Sequence, residues 1–207
     1  MKHITYVIGV FMAFTINTLN AQNTEINFGV KAGVNYSNVW DSEGQKFEAD
    51  GKIGFVGGFF TGISLNKYLG LQPEILFSQK GFKGSGVLLG TAYSFSRTTN
   101  YIDIPLQIQV KPTTFLTLVA GPQFSFLLSQ NDSYTFGSNS VDQEQEFKNE
   151  NIRKNMLGFV GGGDVYYQNF VFSGRIGFDF QKNNGDGTSF TPRYKNQWLQ
   201  LTVGYKI

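Results

Sequence analysis

The sequence predicts an all-β fold, an eight-stranded antiparallel up-and-down transmembrane β-barrel, on three observations. Eight stretches alternate apolar and polar residues with a period of two. The links between them alternate short and long, and an export-type leader precedes the first stretch.

The leader comes first in the chain. Lys2 and His3 precede an apolar run from Ile4 to Ile16, followed by NTLNAQ with small Ala21 where a signal peptidase would cut. The apolar run is roughly 13 residues against the ~20 that a spanning helix needs, so it predicts a cleaved secretory signal peptide rather than an anchor. The expected division is residues 1–21 as leader and 22–207 as barrel domain.

Each later run places side chains on two faces, because successive residues of a strand point to opposite sides. The first sets Ile26, Phe28, Val30, Ala32 and Val34 against Asn27, Gly29, Lys31, Gly33 and Asn35. In the second, Ile53, Phe55, Phe59, Ile63 and Leu65 oppose Gly54, Gly58, Gly62 and Ser64. The third opposes Leu69, Leu71, Pro73, Ile75 and Phe77 to Gly70, Gln72, Glu74, Ser78 and Lys80. The fourth, YIDIPLQIQVKP, alternates most strictly, with Ile102, Ile104, Leu106, Ile108 and Val110 against Asp103, Pro105, Gln107, Gln109 and Lys111.

The fifth run has Leu116, Leu118, Ala120, Phe124, Phe126 and Leu128 against Thr117, Gly121, Gln123 and Ser125. The sixth has Leu157, Phe159, Val165 and Tyr167 against Gly158, Gly162, Asp164 and Tyr166. The seventh opposes Phe170, Phe172, Ile176, Phe178 and Phe180 to Ser173, Arg175, Gly177 and Asp179. In the last, Leu199, Leu201, Val203, Tyr205 and Ile207 face away from Gln200, Thr202, Gly204 and Lys206. Bulky apolar groups on one face and Gly, Ser and charge on the other suit a crowded polar lumen surrounded by lipid. A soluble periplasmic barrel carrying an apolar ligand would reverse the two faces. Pro73 and Pro105 are expected at bulges or local ladder breaks, since proline donates no ladder hydrogen bond.

Links at 66–68, 112–114 and 168–169 are short, whereas those at 37–51, 84–95, 131–154 and 181–192 are long and polar. That pattern predicts periplasmic turns, extracellular loops and both termini in the periplasm of an outer-membrane protein. Interfacial aromatic belts follow from 16 % aromatic content. Tyr36, Trp40, Phe82, Phe126, Phe180 and Trp198 are expected at the outer rim, and Tyr68, Phe115, Tyr167, Phe170 and Tyr205 at the inner one.

The residues that carry this pattern include FGVKAGVNYSN (28–38), YLGLQPEILFSQKG (68–81), NYIDIPLQIQVKP (100–112), AGPQFSFLLS (120–129) and the closing LQLTVGYKI. In them the chain resembles the PorT-like outer-membrane β-barrel family of Bacteroidota-type Gram-negative bacteria over essentially the whole mature length. The resemblance implies an eight-stranded outer-membrane barrel. The founding member is tied to a secretion system, a role that no residue here carries over. The chain departs at its last residue, Ile207, where such barrels often end in an aromatic that the barrel-assembly machinery recognises; the Gly204–Tyr205 pair stands nearby.

Composition excludes several function classes. Net charge is +2 with no cluster of Lys or Arg, so nucleic-acid partners lack an electrostatic footprint. There is no cysteine, and the single histidine, His3, lies in the leader. Thiol nucleophiles, Ser-His-Asp triads and His-based zinc sites are thereby excluded from the mature chain. Lys31, Glu74, Lys80, Asp103, Asp164, Arg175, Asp179 and Lys206 remain on the polar faces. A carboxylate pair among them would suit proton transfer or glycoside cleavage. Balanced charge instead predicts a paired structural network filling a lumen with room for little more than side chains. NNGDGTS (183–189) lacks the closing glutamate of a calcium loop, and DQEQEFKNEN (142–151) reads as a solvated loop.

The expected protein is a non-enzymatic outer-membrane barrel without cofactor, presenting its loops above a closed lumen. Its expected partners are outer-membrane lipid, the assembly machinery during insertion, and an envelope or secretion protein if it docks into such an assembly.

Overall fold

A computed structural model of the chain describes residues 25–40, 49–88, 91–136, 139–145, 153–184 and 194–207. The expected leader and its cleavage point lie outside the described residues. So do 185–189 of the NNGDGTS segment and 146–151 of the acidic loop.

Strict alternation becomes nine strands among the described residues: β1 (Ile26–Trp40), β2 (Asp50–Ser64), β3 (Leu69–Leu88), β4 (Thr91–Val110), β5 (Leu116–Phe136), β6 (Asn139–Gln145), β7 (Asn155–Tyr167), β8 (Phe170–Asp179) and β9 (Lys195–Lys206). All but β6 form a closed antiparallel ring in which neighbours in sequence are neighbours in space, and β9 seals it against β1. The short β6 pairs only with the far end of β5, from Gln130↔Gln145 to Phe136↔Asn139. No helix among the described residues is long and apolar enough to cross a membrane. The crossing is made by strands, whose backbone groups are all paired once the sheet has no edge.

The register fixes the barrel's dimensions. One circuit starts at Phe126 of β5 and passes through Ile102, Phe77, Gly57, Ala32, Val203, Phe172 and Val165. It returns to β5 at Leu116, ten residues lower. Eight strands with that shear tilt by about 40° and leave a backbone radius of about 8 Å, which side chains alone fill.

The two faces meet different surroundings, as the alternation predicts. Ile108 is 57 % exposed, and the adjacent Gln109 only 2 %. Ile75, Phe59 and Ile176 likewise stand fully outward, in a continuous belt of apolar side chains around the wall. The prolines interrupt the ladders without shifting register. Pairs lapse between Phe60/Glu74 and Ile63/Leu71 around Pro73, and between Pro105/Gln123 and Ile108/Ala120 beyond Pro105.

Two expected loops are strand instead. Residues 84–95 continue β3 to Leu88 and begin β4 at Thr91, and β5 runs on to Phe136 before folding back as β6. In this extension the polarity of the faces inverts. On β4 the outward positions change from Ile102 and Ile104 to Ser94, Ser96, Thr98 and Asn100, while the inward ones change from Asp103 and Gln107 to Tyr93 and Phe95. The pairs Tyr93↔Phe136 and Phe95↔Tyr134 put four rings on one face, with the Phe95 and Tyr134 centroids 4.8 Å apart. The inversion falls where β5 carries an extra residue, Leu128, between the pairs Asn100↔Ser129 and Tyr101↔Leu127. Serine and threonine turned outward suit water, so the strands leave the lipid at this level.

Candidate functional site

The lumen is where the sequence concentrates its charge, and side chains from five strands form one network there around a single guanidinium. Arg175 of β8 donates from Nη2 to Asp164 Oδ1 of β7 at 2.7 Å and from Nε to Gln107 Oε1 of β4 at 3.1 Å. Its Nη1 donates to the carbonyls of Gly163 at 2.8 Å and Gly174 at 3.1 Å. Glu74 of β3 lies 3.8 Å from the same Nη2 and 2.5 Å from Lys31 Nζ of β1. Amides tie the carboxylates together: Gln72 donates to Glu74 at 2.8 Å and to Asp164 at 3.2 Å, and Gln109 donates to Gln72 at 2.5 Å. Two cations and two carboxylates are thus removed from water only in each other's company, which is the condition under which buried charge persists.

Above this layer the same face of β3 carries Leu76 and then Lys80, so an apolar level with buried Val56, Leu76 and Val160 separates two polar ones. Lys80 Nζ lies 2.9 Å from Asp103 and 3.8 Å from the centre of the Trp198 ring, a salt bridge combined with a desolvated cation–π contact. Gly177 opposite leaves room for that ring, since a Cβ there would come within 2.3 Å of Trp198. Asp179 accepts from Asn196 Nδ2 at 2.6 Å.

A further ion pair closes the far mouth. Arg97 grips both oxygens of Asp132, from Nε at 2.7 Å and Nη2 at 2.6 Å, and donates from Nη1 to the Tyr194 hydroxyl at 2.7 Å. Burial raises the Tyr194 hydroxyl's pKa, and the Arg97 guanidinium opposes that shift.

Seven of the eight residues expected in a polar lumen are at most 5 % exposed. Each carboxylate among them has a cation or an amide as partner. Lys206 differs. It ends β9 at the short-turn mouth, half-buried, and forms no ion pair among the described residues. Its side of the strand is as expected, but the lumen has already opened at that level.

Two aromatic placements are corrected. Phe82 and Trp198, expected on the outer rim, are 2 % and 4 % exposed inside the barrel. Phe82 shares its face of β3 with Lys80, and Trp198 shares its face of β9 with Gln200, so the alternation already pointed both inward. The remaining rim residues, among them Tyr36, Trp40, Tyr68 and Tyr205, are exposed on the wall. The Arg97–Asp132 pair was not foreseen. Counting by twos from Ser125 puts Asp132 on the wrong face, because the bulge at Leu128 inserts one residue.

An edgeless ring of amphipathic strands, apolar toward its surroundings and charge-paired within, defines an integral membrane β-barrel. The chain belongs to the outer membrane protein beta-barrel domain family, whose model matches residues 20–185. Its location is accordingly the cell outer membrane. No curated protein matches the chain by sequence. Among solved structures it is similar to Ail, the attachment invasion locus protein of Yersinia pestis, at 13% identity and a TM-score of 0.48, covering 88% of this chain and 99% of that one. It is also similar to Neisserial surface protein A, at 14% identity and a TM-score of 0.46, covering 87% and 97%. Acinetobacter baumannii CarO matches at 12% identity and a TM-score of 0.46, covering 89% and 100%.

Proposed function

We propose that the protein is a closed outer-membrane scaffold whose cellular role is performed at its ends, with no enzymatic activity and no conducting pore. The observation that carries this reading is the lumen, where Lys31, Glu74, Asp164 and Arg175 span the cross-section in mutual contact. A substrate would have to displace buried ion pairs to reach any of these carboxylates. The resemblance to the PorT-like branch, a periplasmic position for both termini and recognition by the barrel-assembly machinery belong to the same proposal. Its chemistry needs no cofactor, and its constant partner is lipid.

Docking onto an envelope or secretion assembly is a second reading. It is favoured by the sheet that β3, β4, β5 and β6 raise beyond the lipid belt, with Tyr93, Tyr134 and Phe136 exposed on it. A soluble carrier of an apolar ligand is disfavoured by the bulky residues that face outward all round the wall. Purified protein inserted in planar bilayers is expected to give no stepwise current, and cell fractions to hold it in the outer membrane with heat-modifiable gel migration. Stepwise conductance in the wild-type protein would overturn the closed lumen.

A further inference from the structure

The short-turn mouth opens into a cavity of about 820 Å³ that meets the lumen network at Gln109. Lys67, Lys111 and Lys206 line it, with Glu25 as the one acidic side chain among its lining residues. None of the three ammonium groups has a carboxylate within salt-bridge distance among the described residues. Lys111 donates to Ser64 Oγ at 2.6 Å, and Lys67 lies over the ring of Tyr68. The cavity also reaches Gln109, which is 2 % exposed. While the Gln109 amide nitrogen is held by Gln72, its Oε1 has no donor among the described residues. An orphaned buried acceptor costs free energy that a bound donor would recover.

We propose that this mouth is a binding site for a peptide α-carboxylate: the carboxylate sits among Lys111, Lys206 and Lys67, and a main-chain N–H of the peptide donates to Gln109 Oε1. Charge selects the first group, since three lysines and a single glutamate line the mouth. The unpaired acceptor selects the second, and the volume admits several residues. Desolvation lowers the pKa of Lys111; Glu25 opposes the shift and Lys206 adds to it, so an incoming anion would favour the charged ammonium.

The test is calorimetric titration of the full protein in detergent micelles at low ionic strength with N-acetyl-Ala-Ala, with its C-terminal amide and with acetate. The free acid is expected to bind one-to-one and its amide about tenfold more weakly, since an unpaired charge is lost. Lys206→Met and Lys111→Met should each weaken the acid about fivefold, whereas Gln109→Leu should weaken the acid but leave acetate, which has no N–H, unchanged. Heat-modifiable migration verifies that each variant is folded, and Lys206→Met, at the rim, is the variant least coupled to folding. Equal affinity for acid and amide, no binding of the acid, or wild-type binding by the Lys111→Met/Lys206→Met double variant would each overturn the site. Extending the peptide by three residues separates two sources: a gain in affinity assigns a protein terminus, and equal affinity assigns short free peptides.

Discussion

At the scale of single residues, the lumen is a set of mutual obligations centred on Arg175. Leucine at that position leaves Asp164 with only an amide donor and Glu74 with one cation, Lys31, and the Gln72 amide, both carboxylates being at most 2 % exposed. Loss of one member of such a buried set costs about 3–5 kcal/mol. Arg175→Leu is therefore expected to lower the urea midpoint for unfolding in detergent, read from the folded band on unheated gels. The Arg175→Leu/Asp164→Leu double variant, which keeps the Lys31–Glu74 pair, should regain a large part of the loss. An unchanged midpoint in the single variant would show that Arg175 carries none of the lumen's stability. The eight candidate charges were legible because each sits on the polar side of an alternating run. Which of them touch was not legible, since contacts across a barrel depend on the shear, and no single strand contains it. Lys206 shows the limit: alternation assigns a residue's face but not its height.

At the scale of elements, β4 is two strands in one. Its lower half is written for lipid outside and charge inside, and its upper half for water outside and aromatic rings inside. A lysine on the outward face should therefore cost very different amounts on neighbouring strands. Ile75→Lys, in the belt on β3, is expected to destabilise the barrel by about 2–4 kcal/mol, and Ser94→Lys, on the outward face of upper β4, by less than about 0.5 kcal/mol. Folding titrations into lipid vesicles measure both. Equal costs would mean that the change of face polarity does not mark the edge of the hydrocarbon. All eight spanning strands and their order could be read directly from period-two runs. The extensions were hidden because YSFSRTT alternates aromatic with small polar residues, a composition shared by loops and water-exposed strands. The bulge at Leu128 then broke the count that would have joined Asp132 to Arg97.

At the scale of the whole molecule, the links β2–β3, β4–β5 and β7–β8 lie at one end and the extended hairpins at the other. The proposed orientation puts the extended end outside the cell. An epitope inserted between β3 and β4 is expected to be labelled by antibody on intact cells, whereas one appended after Ile207 should need a permeabilised outer membrane. The reverse pattern would invert the orientation. The alternating link lengths made this arrangement readable, and the register that sets tilt and radius became visible only when the ring closed.

That closure has a consequence for how the protein comes into being. The seal between β1 and β9 joins the first described strand to the last, in twelve consecutive residue pairs from Gly29↔Lys206 to Trp40↔Lys195. Until the final strand arrives, every partial sheet exposes two rows of unpaired amides that lipid cannot satisfy. The polypeptide therefore has no stable halfway form in the bilayer, and its quality control is built into its geometry: a chain that lacks its last dozen residues has no wall to belong to.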